Sequence, residues 1–267
     1  MRATLNIQAA SSNALTYLQE VYFTTPFKVM DITENKKAGP LHLMLMNASP
    51  GILDGDEYTL HIQVKSQAVL HLHTQAYQRL YTMKQGARQL MDVLVEPEAT
   101  FIYLPHPSVP HELSVFTCCN NFYLAHNSRL VFGEVLTCGR KLNGEAFRFS
   151  KYHSITQVFI NNQLAIKENL LLQPSVAPVN TIGQLEGYTH QASMMLLGGS
   201  NEYGQLQLQI LQLLAAETNI QYGVSSAPVS GLLIRLLGYG AEQLYSLLQN
   251  ILALAQPEQV KILHHAG

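Results

Sequence analysis

Residues 57–65 read Glu57-Tyr58-Thr59-Leu60-His61-Ile62-Gln63-Val64-Lys65. Tyr58, Leu60, Ile62 and Val64 fall at every second position, with Glu57, Thr59, His61 and Gln63 between them. Successive side chains of a β-strand point to opposite faces, so this spacing predicts a strand with one apolar face turned to a core. Just upstream, Ser49-Pro50-Gly51-Ile52-Leu53-Asp54-Gly55-Asp56 supplies the turn that leads into it. Gly51 and Gly55 let the backbone take φ > 0. Asp56 either hydrogen-bonds its own turn or joins Asp54 in an acidic site, and both readings stay open.

Working outward, alternation or a short apolar run recurs at 41–46, 68–74, 90–95, 100–104, 113–118, 122–125, 130–137, 146–152, 156–160 and 163–166, separated by Gly, Pro, Asn or Ser. Ten or more short strands so spaced predict stacked sheets or a solenoid-like roll. Asn161-Asn162 fits a tight hairpin. After Pro174-Ser175-Val176-Ala177-Pro178, read as a loop within one domain, the period changes. Leu206, Ile210, Leu213 and Leu214 recur at helical spacing, as do Leu244, Leu247, Leu248, Ile251 and Leu252. Gly199-Ser200-Asn201 offers cap chemistry before the first helix, Gly240 precedes the second, and Pro257 should stop it. Between the helices, 220–225 and 231–238 read as strands. The predicted fold is therefore mainly β: many short strands in stacked sheets or a solenoid-like roll, with two α-helices in the C-terminal part.

The chain has 267 residues, 47% of them hydrophobic and 13% charged, about half the charge of ordinary soluble domains. Apolar surface covered by another protein would give this balance, and so would an unusually large core. A net charge of −2 without a Lys/Arg stripe argues against nucleic-acid binding. Leucine-rich stretches at 206–214 and 244–254 are broken by Gln or Asn before spanning length, and no signal-like apolar run opens the chain, so a cytoplasmic, non-membrane protein is expected. Three cysteines in a chain this long do not make a disulfide framework.

No HExxH, CxxC pair, GxSxG elbow or P-loop is present; residues 133–141 come nearest to a P-loop but lack its Lys-Ser/Thr pair, so no nucleotide site and no catalytic residue is assigned. His71 and His73 share one face of a predicted strand, possibly with His61 on a neighbour, and could ligate nickel or zinc or simply face water. Cys118 and Cys119 point to opposite faces and cannot easily grip one ion. The pair His264-His265 reads as a tail.

Five short stretches, in this order, resemble one family: the glycine turn at 49–56, Leu72-His73-Thr74-Gln75-Ala76, Tyr103-Leu104-Pro105-His106-Pro107, Gly139-Arg140-Lys141-Leu142-Asn143-Gly144-Glu145-Ala146-Phe147 and Leu233-Ile234-Arg235-Leu236-Leu237-Gly238. The chain is similar to urease accessory proteins of the UreD (UreH) type. That resemblance implies one UreD-like domain over 1–267, a layered β-helix-like stack that is β-rich at 3–198 and helix-containing at 199–257. It also implies a non-enzymatic nickel-insertion scaffold that binds the urease apoprotein and the accessory proteins UreF and UreG, with nickel only in transit and no tightly held cofactor. Pairing of two copies in such a complex is left open. On this reading Asp54, Asp56 and Glu145 attend the passage of nickel, while Gly51, Gly55, Thr74, Gln75, Arg140 and Arg235 shape or pin the fold. Two other readings are a metal-dependent hydrolase using Asp54, Asp56 and the His71/His73 face, and a β-roll ligand-binding module presenting Tyr77, Tyr81 and Tyr103.

Overall fold

The computed structural model describes residues 1–199 and 203–256. Its strands are β1 (Arg2–Ser12), β2 (Leu15–Phe23), β3 (Phe27–Asp31), β4 (Leu41–Asn47), β5 (Glu57–Val64), β6 (Val69–Gln75), β7 (Gln78–Leu80), β8 (Ala87–Val95), β9 (Thr100–Tyr103), β10 (Ser108–Pro110), β11 (Val115–Leu124), β12 (Arg129–Thr137), β13 (Lys151–Ile160), β14 (Gln163–Leu172), β15 (His190–Leu197), β16 (Gln221–Ser226) and β17 (Gly231–Gly238). Two helices, α1 (Tyr203–Ala215) and α2 (Ala241–Ala255), lie in the C-terminal part.

From β4 to β13 the chain shuttles between two sheets. In the seven-stranded sheet β1, β5, β8, β11 and β13 run parallel side by side, and in the ten-stranded sheet β4, β6, β9 and β12 do the same. Each circuit therefore stacks on the previous one, about 4.8 Å along the axis, as in a flattened β-helix. Antiparallel strands close the stack: β2 and β14 on one sheet, β3 and the β15–β17–β16 run on the other.

Period-two patterning explains the packing. Tyr58, Leu60, Ile62 and Val64 of β5 are buried against Leu70 and Leu72 of β6, Met91 and Val93 of β8, Phe101 of β9 and Phe122 of β11 in the core between the sheets. Burial of side chains of this size stabilises by about 1.5–3 kcal/mol each. A second core covers the outer face of the ten-stranded sheet, where Ile102, Val131, Met194 and Ile234 meet Ile210 and Leu214 of α1 and the buried stripe Leu244, Leu247, Leu248, Ile251 and Leu252 of α2. Gly240 begins α2 in extended conformation (φ −138°). Asn161 and Asn162, at φ 50° and 61°, make the β13–β14 hairpin with the double positive φ that such two-residue turns need.

Several expectations are corrected. The predicted strands at 113–118 and 122–125 are one strand, β11, and 156–160 is the end of β13. Residues 146–150 are not a strand: Gly144 (φ 79°) and Phe147 (φ 56°) take left-handed conformations that break alternation, and a 3-10 turn at Lys141–Asn143 folds the segment back so that Phe147 N–H donates to Cys138 O at 2.7 Å. Phe149 is buried nonetheless. Strand β15 was not predicted, and Val176 of the 174–178 loop is exposed. Ser200, Asn201, Pro257, His264 and His265 lie outside the described residues.

Gly51 and Gly55 differ in what they tolerate. A Cβ at Gly51 would fall inside contact distance of the Arg79 carbonyl oxygen and 2.9 Å from Tyr81 Cε2, whereas Gly55 has open space around it and a φ of 76°. Gly51→Ala should thus cost about 3 kcal/mol, because backbone cannot swing aside, and Gly55→Ala about 1 kcal/mol for the left-handed backbone alone. Urea denaturation of the two variants checks this order, and equal midpoints would contradict it.

Candidate functional site

One stretch of the space between the sheets is hollow, with polar side chains set among apolar ones such as Leu45, Leu60 and Phe116. A cavity of about 520 Å³ is lined by Tyr58, Gln89, Cys118, Asn120 and Tyr152 from the seven-stranded sheet and by Thr74, Gln75, Tyr103, Phe132 and Glu134 from the other side, with His106 near Thr74. Its lining reaches the exposed residues Gln75, Ala76 and Arg79, so it opens where β6 ends.

Strand register builds that lining. Tyr58 lies beside Gln89, Gln89 beside Cys118, and Cys118 beside Ser154, which makes one inward polar row across β5, β8, β11 and β13. The next inward row carries Asn120, Thr156 and Glu168, and Asn120 Nδ2 donates to Thr156 Oγ1 at 3.3 Å. Across from them, Glu134, Ser193 and Arg235 are aligned on β12, β15 and β17. Ser154 Oγ donates to Glu134 Oε2 at 3.1 Å, tying the sheets together. The Arg235 guanidinium pairs with the Glu168 carboxylate beyond the cavity, where Arg235 is largely exposed.

Burial governs the electrostatics. Loss of water pushes the Glu134 carboxyl up to about 7, an effect reduced by the Ser154 hydroxyl and reinforced by the charge of Glu168. Glu134 is half-buried and lines the cavity. Burial also drives the Cys118 thiol up to about 12, so it stays protonated near neutral pH. Desolvation lowers His106, which favours the neutral ring at the mouth, and its Nδ1 lies 3.1 Å from Thr74 Oγ1. The lining thus offers hydroxyl, amide, imidazole and one carboxyl that is part-ionised at neutral pH.

The acids picked out by sequence do not line this cavity. Asp54 Oδ1 accepts from the Gln85 and Gly86 amides at 2.8 and 2.9 Å, which hold its pKa below the usual value. Asp56 is buried and accepts from Leu53 N–H at 2.8 Å, Tyr58 OH at 3.0 Å and the Met1 amine at 2.8 Å. Glu145 is clamped by both arms of Arg140, which holds it low, and also accepts from Glu112 N–H at 3.3 Å. Gly51, Thr74 and Gln75 line the cavity. Tyr103 is buried in the core, Tyr77 donates to Glu242, and the Tyr81 ring meets His111, so these tyrosines do not form a shared open platform. Glu134, Ser154 and Asn120 were not picked out; an acid inside the apolar run Leu130–Leu136 of β12 was the available signal.

His71 and His73 find a third imidazole, though from His42 of β4 and not from His61, which sits on the other sheet 3.6 Å from Asp92. Parallel pairing of β4 and β6 sets His42 beside His71 and Met44 beside His73. The three rings stand on the outer face of the ten-stranded sheet, away from Asp54 and Asp56, so the acids and histidines do not assemble into one centre.

The protein is thus of a mainly β class, a flattened β-helix-like stack with a cavity between its two sheets. The sequence model of the family described as "UreD urease accessory protein" matches residues 1–264. Among curated relatives, the urease accessory protein UreD of Flavobacterium johnsoniae is 45% identical over 248 residues, covering 92% of this chain and 90% of the relative. That of Acetivibrio thermocellus is 33% identical (92% and 94% covered), and one from Haemophilus influenzae 32% (90% and 93%). The chain belongs to the UreD family of urease accessory proteins. No helix among the described residues is long and apolar enough to cross a membrane.

The raised pKa of Glu134 has a signed consequence for stability. Between about 4.5 and about 7 the unfolded chain releases a proton that the folded protein keeps, so stability falls as pH rises through that window and levels off above it. Glu134→Gln removes this loss. Its stability relative to wild type should rise between about pH 5 and about pH 8, by on the order of 1–3 kcal/mol. Denaturant titrations at both pH values check the sign, and a pH-independent difference would refute the assignment.

Proposed function

We propose that this protein is a non-enzymatic urease maturation factor that docks the urease apoprotein and a UreF–UreG complex and conducts nickel, as cargo, through its interior toward the urease active site. The observation that carries this reading is the cavity between the sheets, where Gln89, Asn120 and Glu134 interrupt a largely apolar lining. Sealed interiors fill such positions with apolar side chains, because a buried polar group without a partner costs free energy. A walled space with weak, mostly neutral oxygen donors suits a divalent ion that must be passed on. Protonated Cys118 would not trap it, and Glu134 would lend negative charge without a permanent buried carboxylate.

Support for protein partners comes from the edge of the stack. Tyr17, Val21, Tyr22 and Phe23 of edge strand β2 and Met30 and Ile32 nearby are exposed large hydrophobics. A low-charge chain with such an edge fits association with another protein.

Reconstitution tests the proposal: apo-urease, UreF, UreG, nickel, bicarbonate and GTP, with and without this chain. Activation should depend on its presence, and Glu134→Leu should slow activation several-fold while pull-down of the complex is unchanged. Equal activation without the chain would discard the function. Full activity with Glu134→Leu would discard the interior passage while leaving the scaffold.

A further inference from the structure

His42, His71 and His73 bring one ligand nitrogen each to within 4.8 Å of one another, and no other such group of three His, Cys, Asp or Glu occurs among the described residues. The grouping follows from strand geometry. Residues two apart on β6 share a face, and β4 lies directly beside it in register, so three imidazoles occupy one patch of sheet. His71 and His73 are stacked with centroids 3.8 Å apart, His42 lies 5.2 and 5.3 Å from them, and His42 Nδ1 and His73 Nε2 are 3.0 Å apart in a hydrogen bond. His71 is buried, and a small cavity of about 100 Å³ beside His42 and His71 is also lined by Leu252 and Ala255 of α2. Arg129, which also lines that cavity, turns its guanidinium to the Ala255 carbonyl at 3.3 Å.

We propose that His42, His71 and His73 form a binding site for a first-row divalent transition metal of the nickel, cobalt or zinc type on the outer face of the ten-stranded sheet. Imidazole is the donor these ions share, and three nitrogens on a fixed sheet leave at least one coordination position for water or an incoming ligand. With no thiolate or carboxylate in the set, the donors are neutral and the ion stays exchangeable. The hydrogen bond between His42 and His73 gives way to coordination. This site is separate from the cavity around Glu134: His73 faces outward, while Thr74, the next residue, lines the interior.

The test is titration of the full chain, in a His264→Ala/His265→Ala background that removes the terminal pair, with Co(II) followed by its d–d absorption and with Ni(II) by calorimetry. One equivalent should bind with an imidazole-type spectrum. His42→Ala and His73→Gln should each weaken it by more than about tenfold, beyond what loss of a supporting partner costs a metal site, with unchanged circular dichroism. Glu134→Gln should leave binding intact, which separates this site from the proposed passage. Absence of binding in that background, or equal binding by the histidine variants, overturns the proposal.

Discussion

Parallel register is the constraint on which the rest of this structure depends. Once β5, β8, β11 and β13 are stacked without offset, each inward residue must share its row with the residues above and below it. A polar side chain in such a row is therefore not isolated, because Tyr58, Gln89, Cys118 and Ser154 fall into a line whether or not any two of them are close in sequence. Rows of leucine and phenylalanine interdigitate across the 10 Å between sheets, whereas a row of hydroxyls, amides and a thiol cannot fill that space with apolar contact. The hollow is a consequence of which residues occupy one register.

The same geometry fixes the charge. Glu134 projects from the ten-stranded sheet toward that polar row and meets Ser154, whose hydroxyl only partly offsets the loss of water. An isolated ionised carboxylate in this position would be strongly disfavoured, and the group answers by holding its proton to near neutrality. Asp54, Asp56 and Glu145 show the opposite arrangement. Each sits where backbone amides, an amine or a guanidinium face it, so their charge is spent on holding the turn at 49–56 and the fold-back at 138–147.

Much of the fold was legible because period-two patterning is local. The alternation of 57–65 marks β5, and the 3.6-residue spacing of Leu244, Leu247, Leu248, Ile251 and Leu252 marks the buried stripe of α2. Local signals failed where long-range contact decides. Residues 146–150 carry strand-like apolar residues, yet the Arg140–Glu145 clamp and left-handed Phe147 turn them into a loop. The cavity was legible only in part: Gly51, Thr74 and Gln75 stood out as residues that shape the fold, but Glu134 did not stand out. Glu134 looks like an interruption in an apolar strand until register places it across from Ser154, twenty residues away. In the same way His71 and His73 announce their shared face, but His42, nearly thirty residues earlier, joins them only through β4–β6 pairing.

Placing imidazoles outside and hydroxyls inside the same strand has a physical logic. Alternation gives β6 two chemistries at adjacent positions: His73 stands with His42 and His71, and Thr74 opens onto the hollow beside His106. Three imidazoles fixed by sheet pairing lose little freedom when they converge on an ion, so they hold it longer than scattered donors do while leaving it exchangeable. Scattered oxygen donors along a cavity gather few ligands at any one point and favour passage. The strand keeps the two apart by the thickness of its own backbone, and moving the register of β6 by one residue would exchange them, sending histidines into the core and hydroxyls to the surface. On the two proposals made above, what would separate holding from passing on this chain is the same period-two rule that built its core.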